Sequence, residues 1–395
     1  MTDAPRDDLF YTPPVPLPDG RPGDVIYSRP LDNPVAELSE GENWLVLYLS
    51  ENVRGEPIAV SGIVVLPRGE APTGGFPVIA WAHGTVGVAD GCAPSRDTEG
   101  SLAHPMNAYP QAMLNRFLRE KWAVVMTDYE GLGTTDRVHP YLLGQSEAYG
   151  VLDSVRAARV MFGERVSQTF AIVGHSQGGQ AALFAAHYAS GWAPELQLAG
   201  VAAIAPANHP LGLVRVGAKL PVVDEGLAFT PLFLCGAMGG DPSIEPGEVL
   251  AQGVFNNRWG HVFERCRAGL SERNSWGGVL GTLQFKGDYP DSPNDHQRAF
   301  EEQLAAMNPD VEIDVPIRIT QAADDDRVKA DPPGDLKGTT DLVDELGDTN
   351  PKTPLEYELI PAGRVPKEKP LGVHFATINY DTPALVGWLK DRLRS

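Results

Sequence analysis

Ser176 has the sequence context of a catalytic nucleophile. Residues 174–178 read Gly-His-Ser-Gln-Gly, which fits the pattern G-x-S-x-G. An apolar run precedes this pattern and an alanine-rich helical run follows it, so the serine is expected in a tight turn between a buried strand and a helix. Glycines on either side permit a close approach that a Cβ would block. A glycine-rich loop with an incidental serine is the alternative interpretation.

A serine hydroxyl needs a neighbouring base, and that base needs an acid to orient it. In an α/β-hydrolase sheet these groups follow the chain order Ser, Asp or Glu, His. His374 is the only one of the nine histidines downstream of the acidic candidates, and it is expected in the loop after the last strand. The acid comes from the run Asp324, Asp325 and Asp326, and chain order alone does not choose among the three.

Acyl transfer by such a serine also requires two backbone N–H donors for the oxyanion of the intermediate. The residue after the nucleophile, Gln177, supplies one of them. The loop after the third strand, which reads His83-Gly84-Thr85, supplies the other, and Thr85 is the preferred donor. His83 and His175 are expected to pack behind the site.

The pattern around these residues predicts an α/β fold with a mostly parallel central sheet and helices on both faces. Two β-like runs near the N-terminus form a hairpin, and continuous apolar strands then alternate with helical patterns. The strands are expected at residues 44–50, 58–66, 77–82, 122–128, 169–173, 198–205, 315–321 and 355–360. The main helices are expected at residues 109–120, 144–162 and 383–393.

The same pattern divides the chain into three parts. Residues 1–35 are rich in proline and aspartate and are expected to form an extended N-terminal arm on the surface. Residues 36–208 and 310–395 are expected to form the α/β-hydrolase core. Residues 209–309 contain no clear β run and are far longer than a connecting loop, which predicts an inserted helical cap or lid.

Composition excludes several classes of partner and cofactor. The formal charge of −20 argues against nucleic acid and anionic membrane surfaces and favours neutral substrates. No apolar run reaches the roughly 18 residues of a membrane span, so stable membrane insertion is not expected. No histidine pair has i, i+4 metal-ligand spacing, and residues 131–133 lack the third glycine of a dinucleotide fingerprint. Neither a metal nor a cofactor is therefore expected.

The three cysteines are too few for a disulfide scaffold. They are consistent with one disulfide and one free thiol, or with three reduced thiols. The N-terminus shows no basic and apolar leader pattern, which leaves an intracellular protein or a mature secreted form as the alternatives.

Four stretches together resemble the secretory lipase family: residues 77–85, 92–95, 128–133 and 174–179. The resemblance implies an α/β-hydrolase core with a helical cap, no cofactor, and hydrolysis of carboxylic esters. The family's Gln-Gly-x-x-Asp-x-x-Val pattern places Asp325 in register as the acid, although Ala322 stands where the family has glycine. It also implies a disulfide between Cys92 and Cys266, and it favours an extracellular location.

These features predict a serine esterase or lipase that degrades a small-molecule or lipid ester through an acyl-enzyme on Ser176. An acyltransferase or an amide hydrolase with the same triad is the alternative within enzymes. A catalytically inactive hydrolase-fold binding protein is the alternative outside them.

Overall fold

A computed structural model describes residues 4–393 of the chain, and one nine-stranded sheet forms its centre. The strands are β1 (Val25–Pro30), β2 (Gly41–Glu51), β3 (Pro57–Pro67), β4 (Phe76–Ala82), β5 (Ala123–Thr127), β6 (Val166–His175), β7 (Gln197–Ile204), β8 (Ile317–Ala322) and β9 (Leu355–Ile360). Their order in the sheet is β1-β2-β3-β5-β4-β6-β7-β8-β9.

The sheet changes from antiparallel to parallel at β5. Strands β1, β2 and β3 pair antiparallel, as β3 does with β5. All the remaining pairs, from β5–β4 to β8–β9, are parallel. The carboxyl ends of the parallel strands therefore meet at one edge, where the loops that follow them can combine their side chains.

Helices cover both faces of this sheet, and the alternation of side chains along each strand explains why. On β4, Ile79 and Trp81 pack in one apolar cluster, while Val78 and Ala80 pack in the other. The twelve α-helices are α1 (His104–Ala108), α2 (Gln111–Arg119), α3 (Gly144–Phe162), α4 (Gln177–Trp192), α5 (Pro210–Gly217), α6 (Thr230–Gly240), α7 (Pro246–Val249), α8 (Gln252–Arg258), α9 (Arg267–Leu270), α10 (Asp295–Ala306), α11 (Thr339–Thr349) and α12 (Gly372–Lys390) within the described residues. Helices α2 and α12 contribute to the first cluster, and α3, α4 and α11 contribute to the second.

A long helical segment, residues 205–316, separates β7 from β8 and contains helices α5 to α10. We call it the inserted segment. It has an apolar cluster of its own, in which Trp276 and Phe300 are fully buried. Tyr141 and Leu142, which precede α3, belong to the same cluster and connect it to the sheet domain. The cap predicted for residues 209–309 falls within this segment.

The structure differs from the extended surface arm expected for residues 1–35, of which residues 1–3 lie outside the described range. Residues Val25–Pro30 pair with β2 as the edge strand β1. Phe10 and Tyr11 are buried, and the Tyr11 hydroxyl bonds to the backbone carbonyl of Ser95 at 3.1 Å. Distant parts of the chain supply these partners, so composition near the N-terminus did not reveal them.

The last helix also differs from its expected position. The sequence predicts a helix from Pro383 and a loop around His374, whereas α12 begins at Gly372 and includes both residues. The expected loop position of His374 is therefore wrong. A proline inside a helix forfeits one backbone bond, but the buried side chains of Phe375 and Ile378 provide apolar packing on the sheet that offsets this loss.

The structure joins Cys92 and Cys266 by a disulfide bond, with a Cα–Cα distance of 5.5 Å. Cys235 is buried as a free thiol. The bond links the loop after β4 to the inserted segment. Within the described residues, no helix is long and apolar enough to cross a membrane.

Candidate active site

Ser176 lies at the turn between β6 and α4. Its backbone has φ 57° and ψ −119°, a strained conformation for a residue with a Cβ. Backbone bonds to β7 and to the segment after it help to hold it there: the Ser176 N–H donates to Ile204 at 3.0 Å, and the Ser176 carbonyl accepts from Ala207 at 2.9 Å. Strain of this kind persists only where the surroundings fix it, and it projects the serine side chain away from the sheet.

Gly174 and Gly178, two residues before and two residues after Ser176, lie so close to neighbouring backbone atoms that neither position has room for a Cβ. A Cβ built on Gly174 would overlap the carbonyl oxygen of Gly178. A Cβ on Gly178 would overlap the carbonyl oxygen of Ala82 at the end of β4. The strand, the turn and the helix can therefore pack this tightly only with glycine at both positions.

His374 and Asp325 form a buried hydrogen-bonded pair. The imidazole Nδ1 lies 2.8 Å from Asp325 Oδ2, and both side chains are buried. Asp325 follows β8, and His374 lies in the first turn of α12. The carboxylate accepts the Nδ1 proton, so Nε2 carries the free lone pair and is the nitrogen able to act as a base.

The environment of Asp325 keeps its carboxyl ionised. Burial alone would raise its pKa, but His374 and the backbone N–H groups of Arg327 and Val328 together lower the pKa below its ordinary value. The two N–H groups donate to Asp325 Oδ1 at 2.8 and 3.0 Å. This turn leaves Oδ2 for the histidine and stabilises an imidazolium beside it.

The other two aspartates of the run have different partners. Asp324 Oδ2 accepts from the backbone N–H of Gly363 at 2.9 Å. Asp326 Oδ1 accepts from the backbone N–H of His374 at 3.1 Å, so Asp326 holds the start of α12 in place. Of the three candidates, Asp325 has the contact with the His374 ring.

His175 connects the serine turn to His374. Its Nε2 donates to the His374 carbonyl at 3.1 Å, and the two rings lie 4.4 Å apart. Because Ser176 is the next residue in the chain, this contact brings the serine turn against the start of α12. Burial first, and then the neighbouring imidazole of His374, lowers the pKa of His175 well below its ordinary value, so His175 is neutral.

The loop after β4 lies directly against Ser176. A Cβ built on Gly84 would be 3.5 Å from the Ser176 Cβ. Thr85, the next residue, is buried, and its hydroxyl lies 2.7 Å from the hydroxyl of Tyr141. His83 packs behind the loop with its ring 4.4 Å from the ring of Tyr129. The structure thus brings the loop of the expected Thr85 donor to the serine turn.

Gln177 begins α4, and its side chain is buried in a polar network. Its amide Nε2 donates to Glu147 Oε1 at 2.7 Å and to His139 Nε2 at 2.9 Å. Burial raises the pKa of Glu147 to about 8 and lowers the pKa of His139 to about 3, so both are neutral near pH 7. The sequence analysis did not identify these two residues. An acid at position 147, on the same helical face as Val151 and Val155, was the available signal.

The described residues contain no group of three or more His, Cys, Asp or Glu side chains that could hold a metal ion. The chemistry available at this site is that of a serine, a histidine and a carboxylate, with backbone N–H groups next to the serine. That arrangement is suited to acyl transfer.

Comparison with known proteins supports the resemblance to the secretory lipase family. The sequence model of the family described as "Secretory lipase" matches residues 103–214, which include Ser176. Lipase 7 of Candida albicans is 28% identical over 229 residues, which are 56% of this chain and 50% of that protein. A probable inactive lipase of Mycobacterium tuberculosis is 31% identical over 212 residues, 50% of this chain and 44% of that protein.

The chain spans about half the length of these curated relatives. Over almost its whole length it is similar in structure to the rice cell wall degrading esterase LipA of Xanthomonas oryzae, with a TM-score of 0.70. That likeness covers 95% of this chain and 99% of LipA at 20% identity. The fold is an α/β-hydrolase fold, and the resemblance to the secretory lipases is confirmed.

Proposed function

We propose that the chain is a serine esterase or lipase that hydrolyses neutral carboxylic esters through an acyl-enzyme on Ser176. The observation that carries this proposal is the buried pair of His374 and Asp325 beside the strained serine turn, with imidazole and carboxylate 2.8 Å apart. The family match and the lipase and esterase relatives support ester hydrolysis as the reaction class.

The proposed mechanism has two half-reactions. His374 Nε2 takes the hydroxyl proton of Ser176 while Ser176 Oγ bonds to the carbonyl carbon of the ester. The oxyanion that forms accepts hydrogen bonds from the backbone N–H groups of Thr85 and Gln177. The intermediate collapses, the carbon–oxygen bond of the alcohol breaks, and His374 returns the proton to that alcohol. Water then attacks the acyl group with His374 again as base, and the acid leaves.

Substrate charge and location follow from the same considerations. A chain with a formal charge of −20 repels polyanionic substrates, which favours neutral small-molecule or lipid esters. The family description names secretion, and on that basis we propose an extracellular location.

The inactive relative makes a binding protein the second candidate, since one of the matched proteins is named a probable inactive lipase. A fluorophosphonate probe separates the two candidates, because it labels a serine only where a base and an oxyanion site activate it. We expect wild-type protein to be labelled and Ser176→Ala not to be. No labelling of the folded wild type would favour the binding protein.

Hydrolysis of p-nitrophenyl esters from acetate to palmitate tests the reaction itself. We expect wild-type turnover and at least a 10³-fold loss in Ser176→Ala, the size of effect that removal of a triad nucleophile has elsewhere. Labelling without ester hydrolysis would instead favour an acyltransferase or an amide hydrolase. Equal rates for the wild type and Ser176→Ala would rule out the serine mechanism.

A further inference from the structure

Residues 139–142, between β5 and α3, contact both sides of the expected oxyanion site. We call them the bridging segment. On one side, the Tyr141 hydroxyl lies 2.7 Å from the Thr85 hydroxyl. On the other, His139 Nε2 accepts from the Gln177 amide at 2.9 Å. The two proposed donors, Thr85 and Gln177, follow different strands, so a third segment that contacts both residues can set the distance between them.

Glu147 provides a second connection on the Gln177 side. Its Oε1 accepts from the Gln177 amide at 2.7 Å and from the backbone N–H of Leu142 at 2.9 Å. Glu147 therefore joins the bridging segment to the first residue of α4. Its other oxygen, Oε2, is buried without a hydrogen-bond partner among the described residues. Burial of an unpaired carboxyl oxygen lowers the stability of the fold, so its presence here indicates a functional constraint on this position.

The backbone of the bridging segment is itself strained. Leu142 has φ 58°, in the left-handed region that residues with a Cβ rarely adopt. Two contacts fix it there: its N–H donates to Glu147, and its carbonyl accepts from the Gln180 amide at 3.0 Å. Such conformations persist only where the surrounding structure fixes them, and they cluster at functional sites.

We propose that the bridging segment sets the geometry of the oxyanion site, with Tyr141 as the positioning residue for Thr85 and Glu147 as the positioning residue for Gln177. This inference rests on the proposed function. When Tyr141 donates its proton to Thr85 Oγ1, the Thr85 hydroxyl hydrogen is free to turn towards the oxyanion. Glu147 fixes the first turn of α4, whose leading N–H belongs to Gln177.

A double-mutant cycle tests the Tyr141 side of the proposal. We expect Tyr141→Phe to lower kcat about tenfold with KM unchanged, since a misplaced donor weakens only transition-state binding. Thr85→Val should lose at least as much, and Thr85→Ser should retain most of the activity. Because Tyr141 acts through Thr85, the variant with both Tyr141→Phe and Thr85→Val should be no slower than Thr85→Val alone. Independent, multiplicative losses would overturn this role.

Tyr149→Phe is the matched control. The Tyr149 hydroxyl accepts from Gln145 at 3.0 Å, whereas the side chains of Thr85 and Gln177 bond to Tyr141, His139 and Glu147. We expect this variant to keep wild-type kcat. A loss equal to that of Tyr141→Phe would show that removal of any such hydroxyl has the effect, and would overturn the positioning role.

A pH profile tests the Glu147 side. The titratable groups that face Glu147 are His139, Tyr129 and Tyr141. Burial lowers the pKa of His139 to about 3 and raises that of both tyrosines, so Glu147, with a pKa of about 8, is the group of this cluster that ionises between pH 7 and 9. Its ionisation places a negative charge next to the oxyanion site.

We therefore expect wild-type kcat to fall above about pH 8, and Glu147→Gln, which keeps the acceptor oxygen but cannot ionise, to lack that fall. Glu147→Ala should lose about tenfold at pH 7 through the lost contact with Gln177. The same decline in Glu147→Gln as in the wild type would overturn the proposal.

Fluorophosphonate labelling rates separate failure of this inference from failure of the proposed function. Like ester hydrolysis, labelling requires the oxyanion site, but it does not depend on which ester the protein accepts. Slower labelling of Tyr141→Phe and Glu147→Ala supports the inference even if no tested ester is hydrolysed. Wild-type labelling rates in both variants, with Ser176→Ala unlabelled, would overturn the inference and leave the serine mechanism standing. An unlabelled wild type would overturn both.

Discussion

The three consecutive aspartates after β8 show how much a single hydrogen bond decides at the scale of residues. Chain order left Asp324, Asp325 and Asp326 as equal candidates, and the family register favoured the middle one. In the structure, Asp325 bonds to the His374 ring, Asp326 to the His374 backbone and Asp324 to Gly363. One carboxylate contacts the imidazole, and its two neighbours bond to the start of α12 and to the backbone at Gly363.

Asp325→Asn tests that division of roles. The amide offers a donor where Nδ1–H needs an acceptor, so the imidazole adopts the wrong tautomer. We expect kcat to fall by about 10⁴, as for the equivalent change in other triads. Asp324→Asn should keep kcat within about threefold, because its partner is a backbone N–H outside the pair. Steady-state kinetics on one p-nitrophenyl ester measures both, and equal losses would contradict the assignment.

Residue types and spacing predicted the serine, the histidine and the acid run, because each is a short local pattern or a matter of chain order. They did not predict Glu147 and Tyr141, which act through contacts with Gln177 and Thr85. Those contacts join parts of the chain that are 30 and 56 residues apart. Only the packing of the sheet determines such pairs, so single-sequence patterns do not contain them.

At the scale of elements, the helices and strands with a regular apolar periodicity were predicted best. The helix expected at residues 144–162 and the strand expected at residues 355–360 are confirmed with the same bounds. Helix α12 was placed eleven residues too late, from Pro383 instead of Gly372, because proline usually marks the first turn of a helix. Here tertiary burial of Phe375 and Ile378 outweighs that local preference.

The start of α12 provides a prediction at this scale. Gly372 has φ 78°, and a Cβ there would overlap the carboxylate of Asp326, which holds the backbone N–H of His374. We expect Gly372→Ala to displace Asp326 and to lower kcat about tenfold through misplacement of His374. Gly363→Ala is the matched control, since Gly363 has φ 74° but nothing within 4 Å of its Cβ position.

Both alanine variants carry the cost of a left-handed backbone, roughly 1–2 kcal/mol, so both should lower the melting temperature. Only Gly372→Ala should also lower kcat. If the two variants lose activity equally, backbone strain alone is responsible, and the role assigned to Asp326 is wrong.

The link between the loop after β4 and the inserted segment gives a second prediction about elements. The disulfide of Cys92 and Cys266 spans 174 residues of chain. The loss of a long-range disulfide typically costs about 2–4 kcal/mol, because the unfolded chain gains freedom. We expect the double variant Cys92→Ser with Cys266→Ser to melt at a lower temperature than the wild type.

Reductant is the control for that prediction. Reductant should lower the melting temperature of the wild type and of Cys235→Ala, a variant that removes only the free buried thiol. It should leave the melting temperature of the double variant unchanged. A wild type that is insensitive to reductant would show that the bond contributes little to stability.

At the scale of the whole molecule, two sets of buried ionisable groups make stability depend on pH in opposite directions. Burial raises the pKa of Glu147 from 4.5 to about 8 and that of Asp153 from 3.8 to about 7. In these ranges the folded state holds protons that the unfolded state releases. Stability therefore falls as pH rises through them, by about 1.4 kcal/mol per pH unit and group.

The buried histidines act in the opposite sense. Burial lowers the pKa of His83 from 6.5 to about 4 and that of His139 from 6.5 to about 3. Below pH 6.5 the unfolded chain binds protons that the folded rings refuse. Stability is therefore lost as pH falls through this range, by a similar amount per group.

The two sets overlap between about pH 4.5 and 6.5, where their slopes oppose each other, and separate outside that range. We expect the melting temperature to fall as pH rises above 6.5, because Glu147 and Asp153 then release protons in the unfolded chain that they still hold in the folded protein. Scanning calorimetry from pH 4 to 9 measures the profile.

Glu147→Gln should flatten the fall between pH 6.5 and 8, because a neutral amide removes one of the two carboxyl groups that cause it. Glu164→Gln, which changes an exposed carboxylate, should leave that slope unchanged. A wild-type melting temperature that rises between pH 6.5 and 8 would show that Glu147 is ionised in the folded protein, and the charge assigned beside Gln177 would then be present at neutral pH.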